Sequence, residues 1–363
     1  MKKNTLLLLF CVFTINLTAQ FHTLNIPKRS QPVVEKQRLG VTDITITYSS
    51  PKLRDRDVWN NTNVIPQQGK PIAWRAGADM NTTISFSTDV TLEGQTLAAG
   101  KYGFHIIPEN DSYTLLFAHK NNQWGSYYLD IEKDVTLRVK VNPETCTKSE
   151  QLDFEFLNRT DNSLVIGLEW GEKRIPFKVE VDLNKTVIES FRNELRGINT
   201  YHWQAWNDAA NWCLNHNTNL DEALKWINRS INGGYNGFAA NKNLTNLSTK
   251  ISILKKLNKN NEIEKVKKEA KELHTTANEA NSFGIFLLRN GFYNDAFEYN
   301  NKKFKQFPDS WFLLLNRGLS NYFLNNTKDA LKDVKQVIKV APEHFHNRLN
   351  EIILEIKSGT YKL

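Results

Sequence analysis

The segment SFGIFLLRNGFYNDAFEYNNKKFKQFP, residues 282–308, is followed by a second segment of the same pattern, NRGLSNYFLNNTKDALKDVKQVIKVAP, residues 316–342. Each of three residue types recurs after 34 positions, and the recurring pairs are Gly284 and Gly318, Ala296 and Ala330, and Pro308 and Pro342. Glycine and alanine let two paired helices approach closely, and proline ends the second helix because it has no amide hydrogen to donate. The spacing therefore predicts a repeated helix pair.

A period of 34 residues is the length of a tetratricopeptide repeat. Two more degenerate units precede the clear ones, with Ala223 and Ile263 at the position of Ala296 and a small insertion within residues 232–243. The last apolar segment, residues 349–359, places its large residues on one helical face, as expected of a capping helix. We predict an all-α tetratricopeptide-like array over residues 186–363, with a groove that binds a protein partner.

The preceding part of the chain has a period of two, which is typical of half-buried strands. In DVTLRVKV, residues 134–141, apolar and polar side chains alternate, and RIPFKVEVDL, residues 174–183, repeats the pattern. Similar runs lie near residues 43–48, 82–90, 101–107, 112–118, 151–157 and 164–170. About eight short strands separated by Gly, Asn and Pro turns predict an antiparallel β-sandwich or barrel-like domain over residues 40–185.

The first residues have the pattern of a secretory signal peptide. Lys2 and Lys3 precede an apolar run, residues 6–13, that is too short to span a bilayer, and Ala19 provides a small residue for cleavage before Gln20. We expect a signal peptide over residues 1–19 and a linker over residues 20–39. The mature protein is then exported to the periplasm, the cell envelope or the medium, with no transmembrane segment.

Charge and cysteine content differ between the two predicted domains. Residues 20–185 carry 20 Lys and Arg against 21 Asp and Glu, whereas residues 186–363 carry 25 against 18. Solvated lysines on a helical face account for such an excess, and an acidic partner is the alternative. After signal removal Cys146 and Cys213 remain, one in each domain, and the sequence favours two unpaired thiols over an interdomain bridge.

The β part resembles a bacterial family known as domain of unknown function 2911. The motifs that carry the resemblance are YSSPKLRDRDVW (48–59), GKPIAWRAGADMNTTISFS (69–87), GQTLAAGKYGFHIIP (94–108), YTLLF (113–117), WGSYY (124–128) and DVTLRVKV (134–141). Asp55 stands where the family tends to have glycine, and Ala73 where valine is common. The resemblance implies an exported protein, in some members with a tetratricopeptide-like tail, and it implies no reaction.

Trp74 and Arg75 have two interpretations. In the structural one, Trp74 is a core residue, Arg75 meets a carboxylate such as Asp79, Gly77 takes a positive φ, and Asn81 and Thr82 cap the bend. In the functional one, Arg75 joins His105, Trp124 and Ser126 in a binding face. A cation, an imidazole, a stacking ring and a hydroxyl suit a glycan or carboxylate ligand.

His105 lies on the more polar face of its strand, where the sequence favours an exposed side chain over a ligand-binding one. Ser126 and His105 would form a nucleophile and base, but no Gly-x-Ser-x-Gly turn surrounds Ser126. The sequence has no His-Glu-x-x-His, Cys-x-x-Cys or phosphate-binding glycine loop, so we expect no metal and no cofactor. The basic helices have no nucleic-acid motif, so we expect no nucleic acid partner.

These patterns together favour an exported, non-enzymatic binding or scaffold protein. Its β domain would offer a ligand or partner face built from Trp74, Arg75, His105, Trp124 and Ser126, and its helical array would bind protein. The alternative is a periplasmic hydrolase with a site around His105, Trp124 and Ser126.

Overall fold

The structure is a computed structural model that describes residues 26–66, 73–109 and 111–363. The expected signal peptide, residues 1–19, lies outside the described residues. The chain divides into two compact units, Met1–Val187 and Ile188–Leu363, which we call the β unit and the helical unit. Among the described residues, no helix is long and apolar enough to cross a membrane.

The β unit is built from two antiparallel sheets. Its described strands are β1 (Gln31–Leu39), β2 (Thr42–Ser50), β3 (Thr82–Phe86), β4 (Val90–Leu92), β5 (Gln95–Leu97), β6 (Gly100–Pro108), β7 (Tyr113–Ala118), β8 (Val135–Val141), β9 (Glu144–Leu157) and β10 (Ser163–Glu180). One sheet has the order β1-β2-β3-β6-β7-β8 and the other β5-β4-β10-β9. Phe104 of β6 stacks on Phe177 of β10 with ring centroids 5.6 Å apart, so side chains of both sheets share one core. The predicted antiparallel β fold is confirmed, and it is a sandwich.

Two predicted runs differ from the strands that form. The run at 82–90 is broken after Phe86, because a turn carries the chain from the first sheet to β4 of the second. The runs at 164–170 and 174–183 form one long strand, β10, with a register shift against β9 at Gly171. Gly171 has a φ of +66°, which keeps the strand continuous through a bulge that other residues rarely form.

The expected linker over residues 20–39 is wrong from residue 31 onward. β1 pairs with β2 along its whole length, from Gln31 opposite Ser50 to Leu39 opposite Thr42. Leu39 is its only fully buried residue, because β1 is the edge strand of its sheet and exposes its polar side chains. An edge strand of this kind lacks the apolar alternation from which strands are predicted.

The helical unit consists of paired helices. Apart from one short helical turn in the β unit (Ile131–Asp134) and three 3-10 segments, the described helices are α1 (Leu183–Glu194), α2 (Trp203–Asn215), α3 (Leu220–Asn232), α4 (Leu244–Lys256), α5 (Asn260–Glu272), α6 (Ala277–Arg289), α7 (Tyr293–Gln306), α8 (Trp311–Phe323), α9 (Thr327–Val340) and α10 (His346–Ser358). Each helix from α2 to α10 is packed beside a sequence neighbour, and α2, α4, α6 and α8 also contact one another in succession. This is the arrangement of tetratricopeptide-like units, so the predicted helical array is confirmed.

Gly284 and Gly318 lie where two helices come closest. A Cβ on Gly284 of α6 would lie 2.1 Å from Oδ1 of Asn300 on α7, well inside contact distance. A Cβ on Gly318 of α8 would lie 3.0 Å from Cβ of Asp333 and 3.3 Å from the carbonyl oxygen of Ala330 on α9. Any larger side chain at these positions would push the paired helices apart.

The other repeated residues occupy equivalent places in the two clear units. Ala296 and Ala330 are fully buried in α7 and α9. Pro308 and Pro342 each stand two residues after the end of these helices, where no helical hydrogen bond requires their missing amide hydrogen. The 34-residue period therefore repeats one packing arrangement.

Candidate functional site

Trp74 lies in the core of the β unit. Its amide donates to the carbonyl of Ile106 at 2.7 Å, and the amide of Ile106 donates back at 2.8 Å, which fixes Trp74 beside β6. The Trp74 ring is 4% exposed, stacks on Trp170 at 6.1 Å between ring centroids, and meets Trp59 edge to face at 5.9 Å. Trp74 is therefore a core residue, as the structural interpretation expected.

Arg75 is half-buried and turns to a different part of the surface. Its Nη1 donates to the backbone carbonyl of Asp79 at 2.5 Å, so the expected contact with the Asp79 carboxylate is wrong. Its guanidinium packs on Gly125, where a Cβ would lie 2.6 Å from Cζ of Arg75, and on the ring of Tyr127 at 5.4 Å. Arg75 is thus positioned by a neighbouring turn that the sequence did not identify as its contact.

The bend that follows Arg75 differs from the expected one. The positive φ angles belong to Ala76 (52°) and Asp79 (59°), whereas Gly77 is not among the positive-φ glycines. Gly77 is needed for space instead, because its Cβ would lie 3.0 Å from Oγ1 of Thr82 and 3.1 Å from the carbonyl oxygen of Ser49. The close approach of neighbouring atoms, and not a positive φ, therefore explains the glycine at position 77.

A turn over residues 123–128, which we call the aromatic turn, is held against this bend. The amide of Asn81 donates to the carbonyl of Gln123, and the amide of Gln123 donates to Oδ1 of Asn81, both at 3.0 Å. The aromatic turn exposes Trp124 by 52%, Tyr127 by 75% and Tyr128 by 77%. Three aromatic rings of this turn therefore meet solvent, and one of them, Tyr127, lies against the Arg75 cation.

His105 is completely buried, so the expectation of an exposed side chain is wrong. The aromatic turn covers this face of β6, and Nδ1 of His105 lies 2.7 Å from Oγ of Ser126 while Nε2 lies 3.5 Å from the side-chain nitrogen of Gln123. Burial, and to a lesser extent the positive charge of Arg75, lowers the pKa of His105 to about 4. The imidazole is therefore neutral at physiological pH.

Four of the five predicted site residues come together at the aromatic turn. Arg75 packs under it, His105 bonds Ser126 within it, and Trp124 is exposed on it, whereas Trp74 lies in the core. Gln123, Tyr127 and Tyr128 were not predicted, although the last two stand in the WGSYY motif. Within the described ranges, no group of three His, Cys, Asp or Glu side chains is placed to hold a metal ion. Cys146 and Cys213 are unpaired.

The helical unit contains a groove of about 910 Å³ along α2, α4 and α6. Its lining is rich in side-chain amides and hydroxyls, and the residues of this kind are Asn207, Asn211, Asn215, Asn241, Asn243, Thr245, Ser248, Thr249, Ser252, Asn278, Ser282 and Asn290. Glu279 is the one charged side chain among the described lining residues. Asn207, Asn211 and Asn215 recur every four positions on one face of α2, and this spacing is the sequence signal that would have predicted the groove.

Asn207 stands out within this groove. Its side chain is buried, with 6% of the residue exposed, and its Oδ1 has no hydrogen-bond partner among the described residues. Its amide nitrogen makes one long contact, 3.4 Å to Oδ1 of Asp208. A buried acceptor without a donor is uncommon in folded proteins, and a ligand amide is one way to satisfy it.

Comparison with known proteins gives a family match on the β unit. Residues 30–179 match the model of a family described as "Protein of unknown function (DUF2911)", so the resemblance drawn from the sequence motifs is confirmed. No curated protein is detectably similar to this chain.

Solved structures similar to this chain include tetratricopeptide repeat proteins. One, from Parabacteroides merdae ATCC 43184, is 14% identical, with 49% of this chain and 66% of that chain covered and a TM-score of 0.34. MamA from Desulfovibrio magneticus RS-1 is 13% identical over 44% of this chain and 97% of its own, with a TM-score of 0.28. YrrB, described as a tetratricopeptide protein with an unusual peptide-binding site, is 18% identical over 47% and 99%, with a TM-score of 0.25.

Proposed function

We propose that this protein is an exported, non-enzymatic binding protein whose helical unit holds an extended protein segment in the groove of α2, α4 and α6. The observation that carries the proposal is the lining of that groove, in which amide and hydroxyl side chains from three successive units face one space with a single carboxylate. Amide side chains both donate and accept, so they match the alternating N–H and C=O groups of a peptide backbone.

The dimensions of the groove suit a short peptide. Packed helices lie about 8–10 Å apart, so three helices in a row span roughly 20 Å. An extended chain rises about 3.3 Å per residue, and the groove therefore holds about six residues. Because the lining carries almost no charge, we infer that it recognises the peptide main chain and apolar or polar side chains more than an acidic or basic sequence.

A photocrosslinking experiment tests this function. With a benzophenone amino acid at Ser248, inside the groove, we expect crosslinks to a partner in cells of the organism that produces the protein. The same group at Lys265, on the exposed face of α5, is the matched control and should give none. Adding Asn207→Ala and Asn211→Ala should weaken capture about tenfold or more, because two amide contacts are lost.

Two results would contradict groove binding. Equal crosslinking from Ser248 and Lys265 would place the partner elsewhere on the helical unit. Full capture after both asparagines are replaced, with unchanged helical content by circular dichroism, would show that the amide lining is not the recognition element.

For the β unit we propose that the aromatic turn and Arg75 form a face for a glycan or carboxylate ligand. The exposed rings of Trp124 and Tyr128 offer stacking surfaces for a ligand. The guanidinium of Arg75 packs against the ring of Tyr127 and supplies the positive charge of this face. Trp124→Ala should abolish retention on immobilised envelope glycans while lowering the stability of the β unit by less than about 1 kcal/mol. Retention equal to that of the parent protein would rule this face out.

A second candidate function is hydrolysis, which the 2.7 Å contact between Ser126 Oγ and His105 Nδ1 favours. A neutral imidazole can accept the serine proton, but its other nitrogen meets the Gln123 amide and not a carboxylate. We expect no labelling of Ser126 by a fluorophosphonate probe between about pH 5 and 9. His105 is neutral there, but its burial, which lowers its pKa to about 4, disfavours the imidazolium that would form, and its other nitrogen has no carboxylate to stabilise that charge. Labelling that Ser126→Ala and His105→Ala both remove would favour the hydrolase.

We also propose that the protein is exported, because Lys2 and Lys3, the apolar run of residues 6–13 and Ala19 have the pattern of a signal peptide. N-terminal mass spectrometry of protein from the envelope fraction or medium should find a chain that begins at Gln20. Cytosolic protein that retains Met1 would refute it.

A further inference from the structure

A small pocket in the β unit gathers five positively charged side chains. It measures about 320 Å³, and its charged lining residues are Arg29, Lys52, Arg54, Arg56, Arg75 and Asp79. With five cations and one carboxylate, the lining has a formal net charge of +4. The cations come from three separate stretches: the approach to β1, the loop after β2, and the bend before β3. We call it the basic pocket.

The cations of the basic pocket are not paired with a carboxylate in the described part of the chain. No ion pair within 4 Å forms between any of these five side chains and a carboxylate of the described residues, Asp79 included. Other arginines of the same unit behave differently: Arg38 pairs with Asp43 at 2.7 Å, and Arg174 pairs with Glu169 at 2.6 Å. Like charges held together without a counter-charge repel, and an anion in the pocket would relieve that repulsion.

Two of the guanidinium groups are held in place by backbone carbonyls. Nε and Nη2 of Arg56 donate to the carbonyls of Leu53 and Lys52, both at 2.8 Å, and Nη1 of Arg75 donates to the carbonyl of Asp79. A guanidinium has five N–H donors, so Arg56 keeps three and Arg75 keeps four beyond these bonds. Donors fixed by the fold lose little conformational freedom when a ligand binds.

The loop that carries three of the cations has an unusual backbone. Arg54 and Asp55 both have positive φ, 51° and 56°, which costs energy for residues other than glycine. Asp55 thus has a positive φ at the position where the family tends to have glycine. The amide of Leu53 bonds the carbonyl of Glu150 at 2.8 Å and that of Arg54 bonds Oε1 of Glu150 at 3.0 Å, which holds the loop against β9.

We infer that the basic pocket binds a compact oxyanion that carries two or more negative charges, of the diphosphate or tricarboxylate type. A net charge of +4 requires more than one negative charge for balance, and planar guanidinium groups bond carboxylate or phosphate oxygens in pairs. The volume of about 320 Å³ admits a small ligand and excludes a long polymer. This inference does not depend on the helical groove.

Titration calorimetry on the mature full chain tests the inference, with pyrophosphate and citrate as probes at low ionic strength. We expect saturable binding of at least one probe, weakening as salt is added because exposed charges are screened. Stronger binding of pyrophosphate assigns a phosphoryl source, and stronger binding of citrate assigns a carboxylate source. Absence of saturable binding of both probes overturns the inference.

Matched double variants locate the binding. Lys52→Gln with Arg54→Gln removes two pocket cations whose side chains make no hydrogen bond or ion pair among the described residues, so folding should be unaffected. The dissociation constant should rise about tenfold or more. Lys101→Gln with Lys120→Gln removes two exposed charges outside the pocket and should change it less than about twofold. An equal change in both double variants would show that the probe responds to the overall positive charge of the protein. That result would overturn the proposed site.

Discussion

Replacing Trp74 by alanine should lower the free energy of unfolding of the β unit by about 3–5 kcal/mol, the usual cost of emptying a buried tryptophan site. The ring is 4% exposed and lies between Trp59 and Trp170, so its removal leaves a cavity bounded by two large rings that cannot collapse into it. Domains of this size have about 5–15 kcal/mol of stability, so a large fall in melting temperature is expected.

Trp124→Ala is the matched control for Trp74→Ala, since it removes the same side chain from a position that is 52% exposed. It should cost less than about 1 kcal/mol, as is usual for exposed substitutions. Urea unfolding followed by far-ultraviolet circular dichroism measures both variants. Equal stability of the two would contradict the core position of Trp74.

In the helical unit, Asp295→Ala should cost roughly 3 kcal/mol, at the lower end of the range for breaking a buried ion pair. Lys267 is 3% exposed and its Nζ lies 2.5 Å from Oδ2 of Asp295, while Lys271 bonds the other carboxylate oxygen. Without Asp295 the Lys267 charge stays buried. Glu264, 2.8 Å away and 69% exposed, compensates in part.

Glu298→Ala is the control in the same helix, because Glu298 also pairs with Lys271 but is 71% exposed. It should cost about 0–1 kcal/mol. Thermal unfolding of the helical unit, followed by circular dichroism at the helical band, separates the two variants. An equal loss of stability in Glu298→Ala and Asp295→Ala would show that the burial of Lys267 does not increase the cost of removing its partner.

The cost of Asp295→Ala should also depend on pH. Burial acts to raise the pKa of Asp295, but hydrogen bonds from Lys267 and Lys271 outweigh it and hold the pKa below its usual range. A carboxylate with a lowered folded-state pKa adds stability that is full above about pH 4 and is lost as the pH falls through the folded pKa. The difference between parent and Asp295→Ala should therefore shrink below about pH 4.

The pairing of the helices was predictable because its signals are local. Gly284, Ala296 and Pro308 stand at fixed offsets within one unit, and the same offsets recur 34 residues later. A helix contacts its sequence neighbour across a short loop, so one unit of sequence contains both sides of the contact. The strand β8 was predictable for a similar reason, since its alternating burial follows directly from the pleat of a strand.

The site in the β unit was predictable only in part. Arg75, His105, Trp124 and Ser126 were chosen by residue type, and the 2.7 Å contact of His105 with Ser126 joins two of them. The burial of His105 was missed because the aromatic turn covers its face of β6, and no sequence pattern indicates which turn covers which strand. The space required at Gly77 was missed because it depends on Ser49 and Thr82, which lie on other strands.

Local sequence patterns are sufficient to predict the two classes of structure, the repeat length and the residue types that pack one helix pair, because these depend on neighbours along the chain. The other features become visible in the folded chain: β1 is an edge strand, Trp74 lies in the core, and Arg29, Arg54 and Arg75 surround one pocket. Each of these depends on residues far apart in sequence. Solvent exclusion and charge act through distance in space, and the fold alone sets those distances.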